Sequence, residues 1–540
     1  MDGQTKISLI ELAQKEQKNH KSLITAVRVN NVVRDLQTNV SDKDKLEFID
    51  MSTEDGMQAY QRSILFLMMS AVNLLYPDKD VVVEHSVNNG IYCELLPKGD
   101  LTAEMVDNIR EKMLEIVNKA KEIRKGSLPR EDAVALFRES QQIAKAKLIE
   151  SLPQESVSLY YCGGYYDYLY GPMVYNTSLL DKFAIDFYEP GLIVRTPLKT
   201  NPIEVPPSMK QKKLSMILSE ADKWANILKC NYVTNLNEYI NKHNVSELIR
   251  ISEALHEKKI AQIADHIVDD INNLRLILIA GPSSSGKTTF AQRLRIQLLV
   301  NGINPISISL DDYFLDRAHT PKTPEGEYDF ESVNALDIEL FNQHMVALLN
   351  GEEVEIPVYN FVTGTREWKG NVVKLEPNQP IIIEGIHGLN EELTRDVPSD
   401  KKYKIYISAL TQLAIDGHNR IPTTAARLIR RIVRDNQFRG TQAIGTIKQW
   451  PDVRKGEEKN IFPYQENADI MFNSALIYEL GVLKKYARPL LMKITSEIPE
   501  YSISKRLIDF LDYFEDITNE EDIPNNSILR EFIGKSCFFK

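Results

Sequence analysis

The segment from Leu276 to Val300 constrains the fold of this chain more than any other part of its sequence. An apolar run, Leu276–Ala280, is followed by Gly281-Pro-Ser-Ser-Ser-Gly286-Lys287-Thr288 and then by a helical pattern. This is G-x-x-x-x-G-K-[ST] between a predicted strand and a predicted helix, the context that a phosphate-binding loop (P-loop) requires. The glycines let backbone N–H groups close around phosphate oxygens, while Lys287 adds a charge and Thr288 a hydroxyl for Mg²⁺. The segment therefore predicts a nucleotide site.

The residues assigned to nucleotide binding on this pattern lie in the loop and in the first turn of its helix. The partial positive charge of that helix N-terminus favours phosphate as well. The motif does not distinguish a kinase from a GTPase or a mechanical ATPase, so the neighbouring segments must decide. The loop residues are Gly281, Pro282, Ser283, Ser284, Ser285, Gly286, Lys287, Thr288 and Thr289.

Short apolar runs alternate with helical patterns after residue 274, which predicts a doubly wound parallel sheet covered by helices on both faces. Two of the runs end in carboxylates, Asp311 and Glu384, where strand ends face the ligand crevice of such a sheet. Asp311 would accept a substrate proton and contact Mg²⁺, or be an ordinary strand-end residue. Glu384 matches a Walker-B acid that holds Mg²⁺, with a helix-capping acid as the alternative. The runs are Leu276–Ala280, Ile306–Leu310, Ile381–Glu384, Tyr403–Ser408 and Ile470–Ala475.

Residues 420–439 contain six arginines and one acid, Asp435, in a chain that is acidic as a whole. Four of the arginines follow helical i, i+3, i+4, i+7 spacing, and apolar residues occupy the opposite face. A one-signed face of this kind predicts a lid that closes over transferring phosphates. The alternative is a surface helix whose arginines pair with acids elsewhere. The four are Arg427, Arg430, Arg431 and Arg434.

The order and local sequence of these elements resemble the uridine kinase/phosphoribulokinase family of P-loop kinases over about residues 272–480. Besides the P-loop, the segments that carry the resemblance are Ser309–Phe314, Tyr328–Glu331, Val354–Thr363, Ile383–Ile386, Arg427–Asp435 and Gln449.

The resemblance implies an ATP- and Mg²⁺-dependent kinase that phosphorylates a hydroxyl of a small molecule, most closely a uridine- or cytidine-like nucleoside. By position, the catalytic residues would be Asp311 as general base, Lys287, Arg434 and Arg439, with Arg430 and Arg431 on ATP. The metal ligands would be Thr288, Asp311 and Glu384. The acceptor site would comprise Asp311, Phe330, Glu331, Tyr359, Phe361, Arg366 and Gln449.

The sequence differs from the pattern of that family at three places, and these differences leave the identity of the acceptor open. Gly364 stands where uridine kinases carry a histidine that reads the pyrimidine, and Glu331 stands where they use Asp. Extra residues, Asp416–Arg420, precede the arginine helix. Either His418 or Arg366 would contact the substrate instead, unless both are ordinary loop residues. A kinase of a sugar, polyol or pantothenate-like acid therefore remains an alternative, as does an RNA-linked nucleotide-dependent switch.

The N-terminal region carries a second, weaker resemblance, to the ubiquitin-like (TGS) and editing-type domains of threonyl-tRNA synthetase. The segments that carry this resemblance are a predicted hairpin with an Asn-Asn turn near 26–36, Gln61–Ser63, Ala71–Pro77 and Asp167–Pro172. That family has a metal-type cluster of two histidines, a cysteine and a further histidine. The matching positions are Arg62, Phe66, Leu169 and Met173, none of which is a good ligand there. The resemblance implies a retained scaffold without the editing chemistry.

Composition limits the classes of function and the partners that remain. The 540 residues include 65 Lys+Arg and 76 Asp+Glu, a net charge of −11, which makes tight nucleic-acid binding unlikely. Four dispersed cysteines, a polar N-terminus and no apolar run of bilayer length predict a cytoplasmic protein with no membrane contact. A small-molecule substrate is expected, and self-association is left open. The predicted units are 1–55 (ubiquitin-like), 56–195 (editing-like α+β), 196–270 (helical linker), 271–490 (P-loop kinase) and 491–540 (helical tail).

Overall fold

The computed structural model describes residues 8–322, 326, 328–360 and 363–539. The chain begins with helix α1 (Leu9–Glu16) and an antiparallel sheet of β1 (Ile24–Val29), β2 (Val32–Arg34) and β3 (Leu46–Asp50), in the order β2-β1-β3. Asn30 and Asn31 connect β1 to β2 with φ angles of 48° and 62°. Positive φ at both positions suits a tight hairpin turn, so the predicted Asn-Asn hairpin is confirmed.

The following 140 or so residues form two small sheets with helices packed on them. A four-stranded sheet has the order β4-β5-β10-β9, and a three-stranded sheet has the order β6-β7-β8. Residues 130–151 form two helices rather than one, because the chain turns at Gln141 with a φ of 63°. The elements are α2 (Glu54–Leu75), β4 (Asp80–Val87), β5 (Gly90–Leu96), α3 (Ala103–Asn118), β6 (Arg124–Pro129), α4 (Arg130–Glu139), α5 (Ile143–Ser151), β7 (Ser156–Cys162), β8 (Tyr165–Asp167), β9 (Ala184–Tyr188) and β10 (Gly191–Arg195).

A proline-rich connector leads from β10 to three helices. The described residues 197–211 form neither a helix nor an extended strand, as four prolines in this stretch predict. Next come α6 (Lys212–Ile227), α7 (Val233–Asn241) and α8 (Val245–Asp269), which confirms the helical prediction for this part. Buried residues of α4, α5 and β7 share one hydrophobic core with α8 and with the sheet that follows.

The kinase-like part is built on a parallel five-stranded sheet with the order β12-β17-β11-β18-β19. The P-loop strand β11 lies in the centre, and helices cover both faces. The strands are β11 (Leu276–Ala280), β12 (Ile306–Ser309), β13 (Val354–Glu355), β14 (Val358–Asn360), β15 (Thr365–Glu367), β16 (Val372–Val373), β17 (Ile381–Glu384), β18 (Lys402–Ser408) and β19 (Ile470–Asn473). The helices are α9 (Lys287–Val300), α10 (Ile338–Leu349), α11 (Thr423–Phe438), α12 (Ala443–Asn460), α13 (Glu479–Leu491), α14 (Tyr501–Leu511) and α15 (Arg530–Ile533).

The strand order brings the predicted site residues to one edge of this sheet. Asp311 follows β12, Glu384 ends β17 and the P-loop follows β11, and these three strands are consecutive neighbours. Because the strands are parallel, all three strand ends meet at the same edge, as a doubly wound sheet requires. Among the described helices, none is long and apolar enough to cross a bilayer.

Candidate active site

The P-loop closes tightly at the start of α9. Gly286 has a φ of 84°, and a Cβ atom there would come within 2.5 Å of Ile528 Cγ2. Glycine is required both by this left-handed backbone and by the close approach of the C-terminal tail. The buried hydroxyls of Ser284 and Ser285 make no hydrogen bond to the described residues. The loop therefore presents polar groups that a phosphate could engage.

Lys287 points back over the loop. Its Nζ donates to the carbonyl oxygens of Gly281 and Pro282, at 3.0 and 3.3 Å. Burial lowers the pKa of Lys287, and the carboxylates of Glu384 and Asp311 oppose this shift. The ammonium group thus lies within electrostatic reach of both predicted site acids, and it is held by the loop's own carbonyls where a phosphate would compete for it.

Thr288 and Glu384 form a pair that fits a divalent cation. Thr288 Oγ1 donates to Glu384 Oε1 at 3.1 Å, while Glu384 Oε2 is buried without a hydrogen-bond partner in the described chain. Burial raises the pKa of Glu384 to about 7, and the Asp311 and Glu531 carboxylates add to this rise. A hydroxyl beside an unsatisfied carboxylate is an oxygen donor set of the type that Mg²⁺ prefers. Mg²⁺ binding by Thr288, Asp311 and Glu384 stays a prediction.

Asp311 lies in a short 3₁₀ turn that Ser309 caps, because the Ser309 hydroxyl accepts the Asp311 backbone N–H. Its side chain is exposed to the cleft, yet the surrounding protein raises its pKa, with Lys287 and Arg439 acting in the opposite direction. A carboxylate with a raised pKa is a better proton acceptor than an ordinary aspartate.

The arginine helix α11 lies inside the molecule rather than on its surface. Arg427 and Arg430 are only 1% and 0% exposed. Arg427 Nη2 donates to Glu457 Oε2 at 2.7 Å, and its Nη1 donates to the Ser283 carbonyl at 3.1 Å. Arg430 pairs with Glu479, and its guanidinium lies 5.0 Å from the centre of the Phe532 ring. These two arginines therefore support the backbone of the P-loop.

The other arginines of this helix lie nearer to the reacting groups. Arg431 Nη1 donates to Ser283 Oγ at 2.7 Å, and Arg434 Nη2 donates to Asp435 Oδ1 at 2.7 Å. The charge of Arg434 acts on Lys287, and that of the more exposed Arg439 acts on Asp311. The predicted ATP roles of Arg430 and Arg431 and the catalytic roles of Arg434 and Arg439 remain predictions.

Phe314, three residues after Asp311, belongs to a cluster of aromatic rings. The ring of Phe314 is 5.5 Å from that of Tyr359 and 6.2 Å from that of Phe330. Glu331 packs its side chain against Gly456 of α12, where a Cβ atom would lie 2.4 Å from Glu331 Cβ. Burial raises the pKa of Glu331 to about 7, against the opposing charges of Arg431 and Lys287. Glu331 therefore lies within electrostatic reach of the P-loop lysine, and its role in acceptor binding stays a prediction.

The other predicted acceptor residues differ in how the structure places them. Arg366 Nη1 donates to Asp337 Oδ2 at 2.8 Å, and its backbone N–H donates to Asp316, so it is tied to this wall of the cleft. Gln449 is exposed on α12, two turns before Gly456. Phe361 lies outside the described residues.

Two site residues were missed by the sequence reasoning. Glu457 Oε1 accepts the backbone N–H of Ser283 at 3.0 Å while its other oxygen pairs with Arg427. Glu531, from the tail helix α15, accepts from both the backbone N–H and the hydroxyl of Thr289, at 3.2 and 2.8 Å. A buried arginine requires an acidic partner, and this requirement could have directed a search to Glu457. Nothing in the sequence points to Glu531.

His418 does not lie in this cleft. Its Nδ1 is 2.6 Å from Asp167 Oδ2 and 2.7 Å from Lys145 Nζ, and its Nε2 is 3.2 Å from Asp80 Oδ1. All three partners belong to the N-terminal region. The suggestion that His418 contacts the acceptor is therefore wrong, because its ring is buried in this contact between the two parts of the chain.

A P-loop, two acids at neighbouring strand ends and an arginine helix on one parallel sheet define a P-loop kinase. The comparisons with known proteins agree. The Phosphoribulokinase / Uridine kinase family model matches residues 276–477. The uridine kinase of Halobacterium salinarum is 31% identical over 195 residues, 36% of this chain and 77% of that protein. That of Staphylococcus haemolyticus is 30% identical over 200 residues, 37% of this chain and 87% of that protein. This chain belongs to the phosphoribulokinase/uridine kinase family.

The N-terminal region matches a different kind of protein. The threonine–tRNA ligase of Clostridium tetani is 29% identical over 159 residues, which are 29% of this chain. The match spans only 25% of the ligase's own length. The predicted resemblance of this region to threonyl-tRNA synthetase is thereby confirmed.

Core side chains fill the ligase-like metal positions. Phe66, Leu169 and Met173 are 1%, 5% and 0% exposed. Arg62 donates to the Pro172 carbonyl at 2.6 Å and lies against Gly171. No group at these four positions offers a metal lone pair other than the Met173 thioether, a soft ligand that suits neither Mg²⁺ nor an imidazole-type zinc site.

Proposed function

We propose that this kinase transfers the γ-phosphoryl group of ATP to a hydroxyl group of a small molecule, and that the acceptor is a uridine- or cytidine-like nucleoside. The observation that carries the proposal is the position of Asp311. Its carboxylate is exposed, has a raised pKa, lies within electrostatic reach of Lys287, and precedes Phe314 of the aromatic cluster by three residues. A general base between a phosphate site and a group of aromatic rings suits a hydroxyl on a ring-shaped acceptor.

Each group of the chain has a defined task in this proposal. Bound Mg·ATP supplies the phosphoryl group and a cation that neutralises its charge. The backbone N–H groups of the P-loop and Lys287 hold the phosphates, and Arg434 and Arg439 stabilise the charge that develops during transfer. Asp311 orients the acceptor hydroxyl and takes its proton. Closure of the cleft on ATP and the acceptor would keep water from competing with the acceptor.

Acceptor recognition would rest on Glu331 and the aromatic rings. Glu331 would accept hydrogen bonds from sugar hydroxyls, and Phe330 and Tyr359 would pack on the base. Phe330 is 37% exposed, so its ring is accessible to an acceptor, whereas Tyr359 is only 6% exposed.

A non-nucleoside acceptor is the second candidate, and the contact between Gly364 and Arg317 favours it. A Cβ atom at Gly364 would lie 2.8 Å from Arg317 Nε. A guanidinium group thus occupies space beside the position where uridine kinases carry their histidine. A cation there suits a polar or acidic acceptor, such as a sugar, a polyol or a pantothenate-like acid.

The test is ADP release from Mg·ATP by the full chain against nucleosides, sugars, polyols and pantothenate, with Lys287→Ala as the blank. Stimulation by uridine or cytidine would support the nucleoside proposal. Stimulation by another compound alone would retain the kinase chemistry and favour the second candidate. If ATP binds but no acceptor stimulates turnover, the kinase proposal fails and an RNA-linked switch becomes the hypothesis to test.

A further inference from the structure

Three metal-ligating side chains converge far from the kinase cleft, where strand β4 packs against helix α6. They are Glu84 and His85 of β4 and Asp222 of α6, and one ligand atom from each lies within 4.8 Å of the others. His85 Nδ1 is 3.9 Å from Asp222 Oδ2, too far for a hydrogen bond but suitable for two ligands of one ion.

A change of strand register brings Glu84 and His85 together. Neighbouring residues of a regular strand point to opposite faces of the sheet. In β4 the register shifts between Val83 and Ser86, so that Glu84 and His85 both stand opposite one residue of β5. A bulge of this kind re-aims a side chain, and here both side chains reach the same acid on α6.

Among the described residues, none makes a hydrogen bond to the side chains of Glu84, His85 or Asp222. The His85 ring lies 5.2 Å from that of Tyr92. Half-buried carboxylates and imidazoles that no protein hydrogen bond occupies keep their lone pairs for another ligand. The nearest cation, Lys98, pairs with Glu94 and lies 4.0 Å from Glu84.

The chemistry of the three side chains also indicates which cation would fit. One imidazole and two carboxylates suit Zn²⁺ or Mn²⁺ better than the all-oxygen preference of Mg²⁺ or Ca²⁺.

We propose that Glu84, His85 and Asp222 bind a divalent transition-metal ion that joins the N-terminal region to the helical connector. The remaining coordination positions would face the open groove that Ser219 and Asn226 line. This site is distinct from the four ligase-like metal positions, which core side chains fill. It is also independent of the kinase reaction, so its failure would leave the proposed function untouched.

Metal binding to the full chain tests the proposal. Protein freed of metal with a chelator is titrated with Zn²⁺ and with Mn²⁺ by calorimetry, without nucleotide. We expect one strong site per chain, weakened about 100-fold or more in His85→Gln and in Asp222→Asn. The matched control His266→Gln changes an exposed histidine of α8 and should bind as the unchanged protein does. Glu384→Gln should affect only cation binding in the kinase cleft and should leave the strong site at Glu84, His85 and Asp222 in place.

Two results would overturn the proposal. One is the absence of a strong Zn²⁺ or Mn²⁺ site in the unchanged protein, and the other is a site that survives both ligand substitutions or disappears in Glu384→Gln. If the substituted proteins fail to fold, the visible spectrum of Co²⁺ bound to the unchanged protein decides. Intense bands of a four- or five-coordinate ion that Zn²⁺ displaces support the site, and the weak spectrum of hydrated Co²⁺ refutes it.

Discussion

The kinase cleft and the ligase-like region of this chain differ in what fills the place where chemistry is expected. In the kinase cleft, Lys287, Asp311 and Glu384 face one another, and an oxygen of Glu384 is buried without a partner. In the ligase-like region, Phe66 and Met173 fill the corresponding positions and are almost fully buried. Unsatisfied polar groups mark a cleft that is kept for a ligand, whereas apolar packing marks one that serves stability.

The ligase-like region has nevertheless gained a charged contact with the kinase part. Asp167 lies beside the filled positions and pairs with both Lys145 and His418. His418 belongs to the extra residues before the arginine helix α11, whose side chains hold the P-loop. The N-terminal region therefore contributes a buried charged contact to the loop that leads into α11, while apolar side chains fill its ligase-like metal positions.

The largest expected effect is on catalytic activity, which distinguishes the kinase cleft from the ligase-like region. Lys287→Ala removes the cation that the P-loop provides for the phosphates, so phosphoryl transfer should fall by more than about 1,000-fold. ADP release under saturating Mg·ATP and acceptor measures this change. Lys448→Ala, an exposed lysine on α12, is the matched control and should retain activity. Retained turnover in Lys287→Ala would contradict the assignment of the kinase cleft.

Asp311→Asn tests the base in the same cleft. The amide cannot take the acceptor proton, so kcat should fall by about 100-fold or more, while ATP affinity stays within about twofold. Steady-state kinetics measures kcat, and calorimetry measures the affinity for ATP. An equal loss of ATP affinity would show that Asp311 acts mainly on the metal or on the fold. Asp312→Asn is the neighbouring control, because that carboxylate accepts the Tyr359 backbone N–H instead.

The kinase sheet could be predicted from the sequence because its signals are local. Each strand is a continuous apolar run, and the P-loop fixes the position of β11. The parallel order then places Asp311 and Glu384 at the same edge without further information. The predicted strand bounds deviate from the structure by one or two residues, as at Ile470–Asn473.

Contacts between distant segments could not be predicted in the same way. Spacing identified the four arginines of α11 as one face, but their burial depends on Glu457 and Glu479, which lie on other helices. The tail residue Glu531 reaches the P-loop only after the chain has returned across α11 and α13. For His418, in the extra residues before α11, the sequence left open a substrate contact or an ordinary loop position, whereas the fold turns the ring toward Asp167.

His418→Gln should break the contact between the two regions and lower the free energy of unfolding by on the order of 3 kcal/mol, since it leaves Asp167 and Lys145 with an incomplete buried network. Burial alone would lower the pKa of His418, but the Asp167 carboxylate raises it to about 9. Burial would raise the pKa of Asp167, yet His418 and Lys145 lower it to about 2.

The sign of the pH dependence follows from these two shifts. Protonated His418 stabilises the fold fully below its unfolded pKa of about 6.5, and this stabilisation is lost as the pH rises through about 9. The Asp167 contribution is present above about pH 4 and is lost as the pH falls through about 2. Thermal unfolding from pH 5 to 10 should therefore show an alkaline decline that His418→Gln lacks and His266→Gln retains. An unchanged decline in His418→Gln would refute the contact.

The smallest expected effect concerns the tail, which brings a third segment into the kinase cleft. Glu531 Oε2 accepts from the backbone N–H and hydroxyl of Thr289, at the start of the helix that receives nucleotide phosphates. A carboxylate there occupies donors that phosphate would use and repels it. Glu531→Gln should therefore tighten ATP binding about tenfold, the equivalent of one charge-assisted hydrogen bond.

Calorimetric titration of Glu531→Gln with ATP measures this change, and Glu521→Gln, an exposed acid of the same tail, is the control. Tighter binding in Glu531→Gln alone would show that the tail competes with the nucleotide, so that access to the kinase cleft is set by a segment outside its sheet. Unchanged ATP binding would mean that Glu531 moves away from Thr289 without a free-energy cost. Weaker ATP binding would mean that Glu531 supports the P-loop in the conformation that binds ATP. The kinase cleft would then depend on the tail for stability.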